Sequence, residues 1–359
     1  MERREFIKNG LCLGCMGILV SGCNNIFQAN NGLKNDRFYY KSENDLPKTV
    51  RLEACSLCQL NCPECTTRKL EKQAPKDWLG YLKFKDFKKF VDENDFIKEI
   101  ELSNNGEIFL NPELDEIIKY AYEKGIWLRA GNGVNLNTVS ETTLENLVKY
   151  KFKRMTVSLD AATSETYKIY RRGGDFNKVI DNIKKINYFK KKYNSEFPVL
   201  HYQFILFGHN EHEIELAKKK AKELNMRMRF RRNNSIEYSP IKNKELVEKQ
   251  TGLKIYDEKN KMIEKLFSIK KGRLYACYTL FYSPQIDYNG DLLGCCQIFL
   301  ENLGINVFKE GLLNALNSQN VIYTKHMLTD LSIPVKQNLP CAKCSKYRFL
   351  KRRGKGLQV

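Results

Sequence analysis

From Thr49 to Arg231 the chain alternates between two apolar periods. In TVRLEA (49–54), Val50, Leu52 and Ala54 alternate with polar or charged neighbours, which is the period of a strand. Further strand patterns fall at IKEIELS (97–103), IWLRA (126–130), RMTVSLD (154–160), VLHYQFILF (199–207) and MRMRF (226–230). Helical periods lie between them. NPELDEIIKYAYEKG predicts a helix with Asn111 as N-cap, Pro112 at its first position, Gly125 as its stop and an apolar face of Leu114, Ile117, Ile118 and Ala121. A second helix is expected from about Ser140 and a third over FNKVIDNIKKINYF. A fourth is expected behind Asn210, whose Glu213 three residues on completes a capping box. Six strands alternating with helices imply parallel βα units joined by right-handed crossovers, an α/β fold.

With 359 residues and 42% hydrophobic content the chain can bury a large core. The formal charge is +19, with basic runs at KYKFKR (149–154), KKKAK (218–222), RMRFRR (227–232) and KRRGK (351–355). These read as solvated faces, because no nucleic-acid motif and no ladder of aromatics interleaved with Arg accompanies them. Nucleic acid is therefore not an expected partner. Residues 1–23 hold Arg3-Arg4, a short apolar run and VSGC, a pattern similar to a twin-arginine and lipoprotein signal in which Cys23 could carry a membrane tether. Residues 24–47 read as a polar spacer.

The twelve cysteines change the picture more, since they cluster and the stretch from Thr66 to Ala276 has none. That distribution points to metal and not to a disulfide scaffold. In RLEACSLCQLNCPEC, Cys58, Cys62 and Cys65 form C-x3-C-x2-C, a loop able to hold three corners of a [4Fe–4S] cluster and leave one iron open. The loop resembles that of the radical S-adenosylmethionine (radical SAM) superfamily. NNGEIFLNPEL resembles the family's GGE motif, with Asn105 where the first Gly is usual. GNG (131–133) matches a turn after the third strand, and VSLDAATSETYKIYRRGGDF resembles the family's fourth strand and the segment behind it.

The resemblance covers 48–231 and implies a partial (βα)6 TIM-like barrel. It also implies AdoMet bound through the open iron, with Gly106 allowing close approach and Glu107 accepting from the AdoMet ammonium. Ser158 and Arg171 would hold its carboxylate and Asp160 would support the ribose. Reductive cleavage to a 5′-deoxyadenosyl radical would need a low-potential donor of flavodoxin or ferredoxin type. Glu64 stands where an aromatic is often found. Cys55 is either a small buried residue ending the strand or a fourth ligand that would close the cluster. His209 and His212 read as ordinary surface or capping residues.

Behind a linker or lid at 232–272, residues 273–349 place Cys277, Gly290-x4-Cys295 and Cys341-x2-Cys344, with a basic tail at 350–359. The four thiols alone fit zinc or an iron–sulfur cluster. The Gly-x4-Cys element, a hairpin turn at DYNGD, resembles SPASM and twitch extensions of radical SAM enzymes. That resemblance implies a small C-terminal cysteine-rich domain with an auxiliary [4Fe–4S] cluster; Cys296 is an alternative to Cys295 or its neighbour on the other face. The expected activity is dehydrogenation of a small molecule with the auxiliary cluster as electron acceptor. The alternatives are a peptide- or protein-modifying maturase and a non-catalytic iron–sulfur electron carrier. The substrate is accordingly a small molecule or a peptide. The signal-like N-terminus points to export, whereas AdoMet chemistry points to the cytoplasmic side, and the sequence leaves the two unreconciled.

Overall fold

The computed structural model describes residues 33–71, 78–256, 275–295, 298 and 301–359. The signal-like segment with Cys12, Cys15 and Cys23, the first part of the spacer, residues 257–274 and Cys296 lie outside the described residues. No helix among the described residues is long and apolar enough to cross a membrane.

All six expected strands form. They are β1 (Thr49–Leu52), β2 (Glu99–Glu101), β3 (Trp127–Val134), β4 (Arg154–Ser158), β5 (Val199–Leu206) and β6 (Arg227–Arg232). They pair in sequence order, every pair parallel, as a partial TIM-like barrel requires. The sheet then continues past β1. Strand β7 (Gln285–Ile286) pairs parallel to β1, with Arg51 opposite Gln285 and Leu52 opposite Ile286, and β8 (Leu292–Gly294) returns antiparallel to β7. The free edge of β1 is thereby covered: Arg51 N donates to Pro284 O at 3.0 Å and Glu53 N to Ile286 O at 3.1 Å.

Helices pack on one face of the sheet. Leu114, Ile117, Ile118 and Ala121 are buried as their spacing predicts; the helix runs Leu114–Glu123, and Asn111 Oδ1 accepts from Glu113 N at 2.8 Å in the turn that leads into it, the cap bond expected of it. The Asn111 amide nitrogen also donates to Ala54 O and Leu82 O, both at 2.9 Å, and so ties the helix entrance to the end of β1. Ser140 does cap helix Glu141–Lys149, accepting from Thr143 N at 3.0 Å. Asn210 and Glu213 form no capping box. A 3-10 turn over Glu211–Glu213 precedes helix Ile214–Glu223, and Asn210 donates to Asp160 O and Ile205 O while Glu213 accepts from Ala162 N and Thr163 Oγ1. Both side chains bind the loop after β4, and Asn210 also binds the end of β5, a tertiary demand that overrides the local cap. GNG (131–133) is likewise not a turn. It lies within β3, where the register against β4 shifts between Ala130 and Val134.

Residues 33–47 lie against the C-terminal region. Asp36 meets His326 at 2.6 Å, and Tyr40 N donates to Asn317 Oδ1 at 2.8 Å. Between these contacts Lys325, 1% exposed, places its Nζ 4.2 Å from the Tyr40 ring centroid. Burial pushes the Lys325 ammonium down to about 7 from an ordinary value of 10.5, with Asp36 opposing. Between those two values the unfolded chain carries this proton and the native chain does not, so this residue makes stability rise with pH over that window. We expect Lys325→Met to remove a slope of up to about 1.4 kcal/mol per pH unit. Thermal unfolding of both proteins from pH 7 to 10 measures it; identical slopes would contradict the assignment.

Candidate active site

Parallel strands place their following loops at one end of the sheet, and the cysteine loop leaves β1 there. Asn61 N donates to Arg172 O at 2.8 Å and Cys65 N to Cys62 O at 3.2 Å, which fixes the loop against the segment after β4. Cys62 is buried with Leu60, Tyr170 and Phe207, and Cys58 and Cys65 pack at the edge of this group. The three cysteines line one cleft of about 250 Å³ together with Gly106, Glu107, Ser158 and Arg171. Burial pushes the Cys58 thiol up to about 12 and raises Cys62. Among the described residues, no three His, Cys, Asp or Glu side chains stand close enough to share a single metal ion.

Arg171 caps the C-terminal end of helix Ser164–Tyr170 and is held from two sides. It is paired with Asp160, and its Nη1 lies 3.7 Å from Cys62 Sγ. Its Nε is buried with no hydrogen-bond partner. Asp160 itself is 1% exposed and is not among the cleft-lining residues. Its second oxygen accepts from Ile205 N at 2.6 Å, so its place is behind Arg171, orienting the guanidinium. Burial raises the Asp160 carboxyl above its usual range, against the pull of Arg171.

Glu107 is 2% exposed, and burial raises its carboxyl to about 7 while it accepts from Asn135 N at 2.6 Å. Gly106 N donates to Cys55 O at 3.1 Å. A Cβ there would collide with the carbonyl oxygens of Cys55 and Leu57, so the close approach this glycine permits is to the chain's own cysteine loop. Ser158 Oγ accepts from Gln203 Nε2 at 3.2 Å, in space left by Gly133. Gln203, Asn135, Tyr170, Phe207 and Arg231 line the cleft without having been singled out in the sequence. The alternation along β5 and β6 puts Gln203 and Arg231 on one face and was the available signal. Cys55, 1% exposed, is not on the cleft wall. His209 stacks on Phe207 at 5.0 Å between ring centroids and shares a 2.8 Å hydrogen bond with Ser239 Oγ; it does not line the cleft.

The C-terminal cysteines come together as well. Cys277 on helix Tyr275–Tyr282, Cys295 directly after β8, Cys341 and Cys344 line one small cavity walled by leucines and Tyr347. Burial, followed by Cys344, pushes the Cys341 thiol up to about 12.

Asn105 stands where the sequence motif departs from glycine, and its contacts explain the residue. Its backbone N donates to Glu53 Oε1 at 2.9 Å and its amide to Glu53 Oε2 at 3.2 Å, and Glu53 is 1% exposed. Asn105→Gly removes the amide donor from a buried carboxylate, and we expect a loss of ~1–3 kcal/mol. Gly106→Ala displaces the cysteine loop and should cost a comparable ~1–3 kcal/mol by overpacking. Thermal unfolding of the two variants reads both effects; wild-type Tm in either would refute its contact.

Residues 53–221 match the family described as the Radical SAM superfamily. No curated protein matches the chain. Among solved structures, hexahistidine-tagged anSMEcpe with bound AdoMet is similar at 15% identity, over 84% of this chain and 86% of that one, with a TM-score of 0.51. BtrN in complex with AdoMet and 2-DOIA is 14% identical over 83% and 90% of the two chains, with a TM-score of 0.45. Methylornithine synthase (PylB) is 13% identical over 69% and 68%, with a TM-score of 0.40. At such identities the likeness to the first is one of fold. The family match over residues 53–221, a little under half of the chain, agrees with the parallel sheet and with the cysteine loop at its carboxyl end, so this stretch is similar to a radical SAM superfamily domain.

Proposed function

We propose that the protein is a radical SAM enzyme that dehydrogenates a small molecule. In this reading Cys58, Cys62 and Cys65 hold the AdoMet-binding cluster, and Cys277, Cys295, Cys341 and Cys344 hold an auxiliary [4Fe–4S] cluster. The observation that carries it is the meeting of Cys58, Cys62 and Cys65 with Glu107, Ser158 and Arg171 on one cleft at the carboxyl end of parallel strands.

The residues present fit such an occupant. Three thiols on one short loop are the donor set for a cluster with one open iron. Arg171 brings to the cleft a guanidinium whose buried Nε has no partner, a donor suited to a carboxylate. Glu107, fixed by Asn135, offers a carboxyl oxygen to an ammonium group. Bound together, cluster and AdoMet supply a one-electron cleavage that yields an organic radical able to take hydrogen from carbon. The chain's own part is to orient and to exclude water. Asp160 fixes Arg171, Gln203 fixes the Ser158 hydroxyl, and Tyr170 and Phe207 close the apolar side of the thiol loop.

Oxidation of a carbinol carbon leaves a second electron to be removed, and an auxiliary cluster at the C-terminal cysteines would accept it. Support comes from the convergence of all four thiols on one apolar cavity, in which Tyr347 OH is also buried without a partner. The electron-carrier alternative needs Cys55 as a fourth ligand, and Cys55 is absent from the cleft wall.

After anaerobic reconstitution we expect about eight irons per chain and an EPR signal of the reduced protein that changes on adding AdoMet. Serine at Cys58, Cys62 and Cys65 together should leave about four irons and abolish the AdoMet response; serine at the four C-terminal cysteines should leave about four and preserve it. A signal indifferent to AdoMet in the unaltered protein overturns the enzyme reading. About four irons with an AdoMet response would remove the auxiliary cluster alone.

A further inference from the structure

The basic run RMRFRR is strand β6, and its alternation sorts it into two faces. Met228 and Phe230 pack against the core, with Phe230 5.9 Å from Phe204 between ring centroids. Arg227, Arg229 and Arg231 therefore point to the opposite face, the interior of the partial barrel, and all three are exposed. The contacts agree. Arg229 Nη1 reaches across β5 and β4 to Gly131 O on β3 at 2.9 Å and to Thr156 Oγ1 at 3.2 Å, and Arg231 Nη1 lies 3.4 Å from Gln203 Oε1.

A closed barrel fills this interior with branched apolar side chains. Here the inner face of β4 to β6 carries charge. In register, His201 is opposite Arg227 on one side and Thr156 on the other, and Arg154 stands two residues before Thr156. Burial lowers the His201 imidazole, and Arg154, Arg229 and Arg227 add to the shift, so these cations share one space. Arg154 Nε and His201 Nδ1 are buried without hydrogen-bond partners. The other half of the interior differs, because Glu99 and Glu101 are both paired with Arg129. Among the described residues Arg154, Arg227 and Arg231 form no ion pair. The concentration of positive charge reaches the cysteine cleft through Arg231 and Gln203, which line it.

We propose that Arg154, His201, Arg227, Arg229 and Arg231 form an oxyanion site inside the barrel, and that the substrate carries a carboxylate or phosphate group held there. The assignment of that ligand as substrate rests on the radical SAM reading; the oxyanion site itself does not. Guanidinium groups on β4 and β6, with the His201 imidazole on β5 between them, match a planar or tetrahedral oxyanion by charge-assisted hydrogen bonds. Anchoring the anion at β4 to β6 would leave the rest of the molecule extending towards the cleft.

The test is calorimetric titration of the reconstituted full chain with inorganic phosphate and, separately, with acetate, at constant ionic strength. Arg154→Gln and Arg229→Gln should each raise the Kd of the bound anion at least about tenfold, while Lys184→Gln, on the exposed surface, should not change it. Phosphate binding alone would indicate a phosphorylated substrate and acetate binding a carboxylate. Binding of neither anion, or an equal Kd in all proteins, overturns the proposal. The AdoMet-dependent EPR change, recorded on the same samples, is a separate readout. An arginine-dependent Kd without any AdoMet response would sink the enzyme reading and leave the anion site standing.

Discussion

The arrangement turns on one buried carboxyl, Glu53, at the end of β1. It accepts from the backbone and side chain of Asn105, which belongs to the loop beside the cleft, and it lies against Asp287 at the end of β7. Burial, and then Asp287, raise Glu53 well above the usual carboxylate range, and burial raises Asp287 too. Two buried carboxyls side by side disfavour double ionisation, so each raises the cost of charging the other. The Glu53–Asp287 pair joins the barrel to its C-terminal extension, while Asn105 joins both to the cleft.

A second constraint is the division of the sheet into an apolar outer face and a polar inner one. Met155, Val157, Leu200, Tyr202 and Phe204 are in the core under the helices, while Arg154, Thr156, Ser158, His201 and Gln203 alternate with them. Burial of the outer set sets the register, because a slip of one residue would exchange the faces. The inner set is then free to be chemical. The irregularity in β3 serves the same division: the missing Cβ of Gly133 makes room for Ser158 Oγ, and Gly131 O takes the Arg229 donor.

How much the sequence disclosed depends on which interactions are local. The Leu114, Ile117, Ile118 and Ala121 stripe and the Ser140 cap are local, and both are legible. Asn210 makes no cap because an amide next to a helix start satisfies whichever partner the fold brings closest, and here those partners are carbonyls after β4 and within β5. Strand β7 is only two residues long, too short for any period to show, and exists because β1 has an edge to cover. For the site, the C-x3-C-x2-C spacing brought out the thiols and the flanking motifs Arg171. The inward place of the β6 arginines was written in RMRFRR but needs the knowledge that its other face is buried.

The topology also bears on how the two cysteine sites could serve one reaction. The loop carrying Cys58, Cys62 and Cys65 leaves the carboxyl end of β1. β8 runs antiparallel to β7, and its last residue, Gly294, pairs with Gln285, so Cys295 emerges towards the opposite end of the sheet. A four-residue strand such as β1 spans roughly 13 Å. The loop of Cys58, Cys62 and Cys65 and the cavity that Cys295 shares with Cys277, Cys341 and Cys344 therefore lie towards different ends of the sheet.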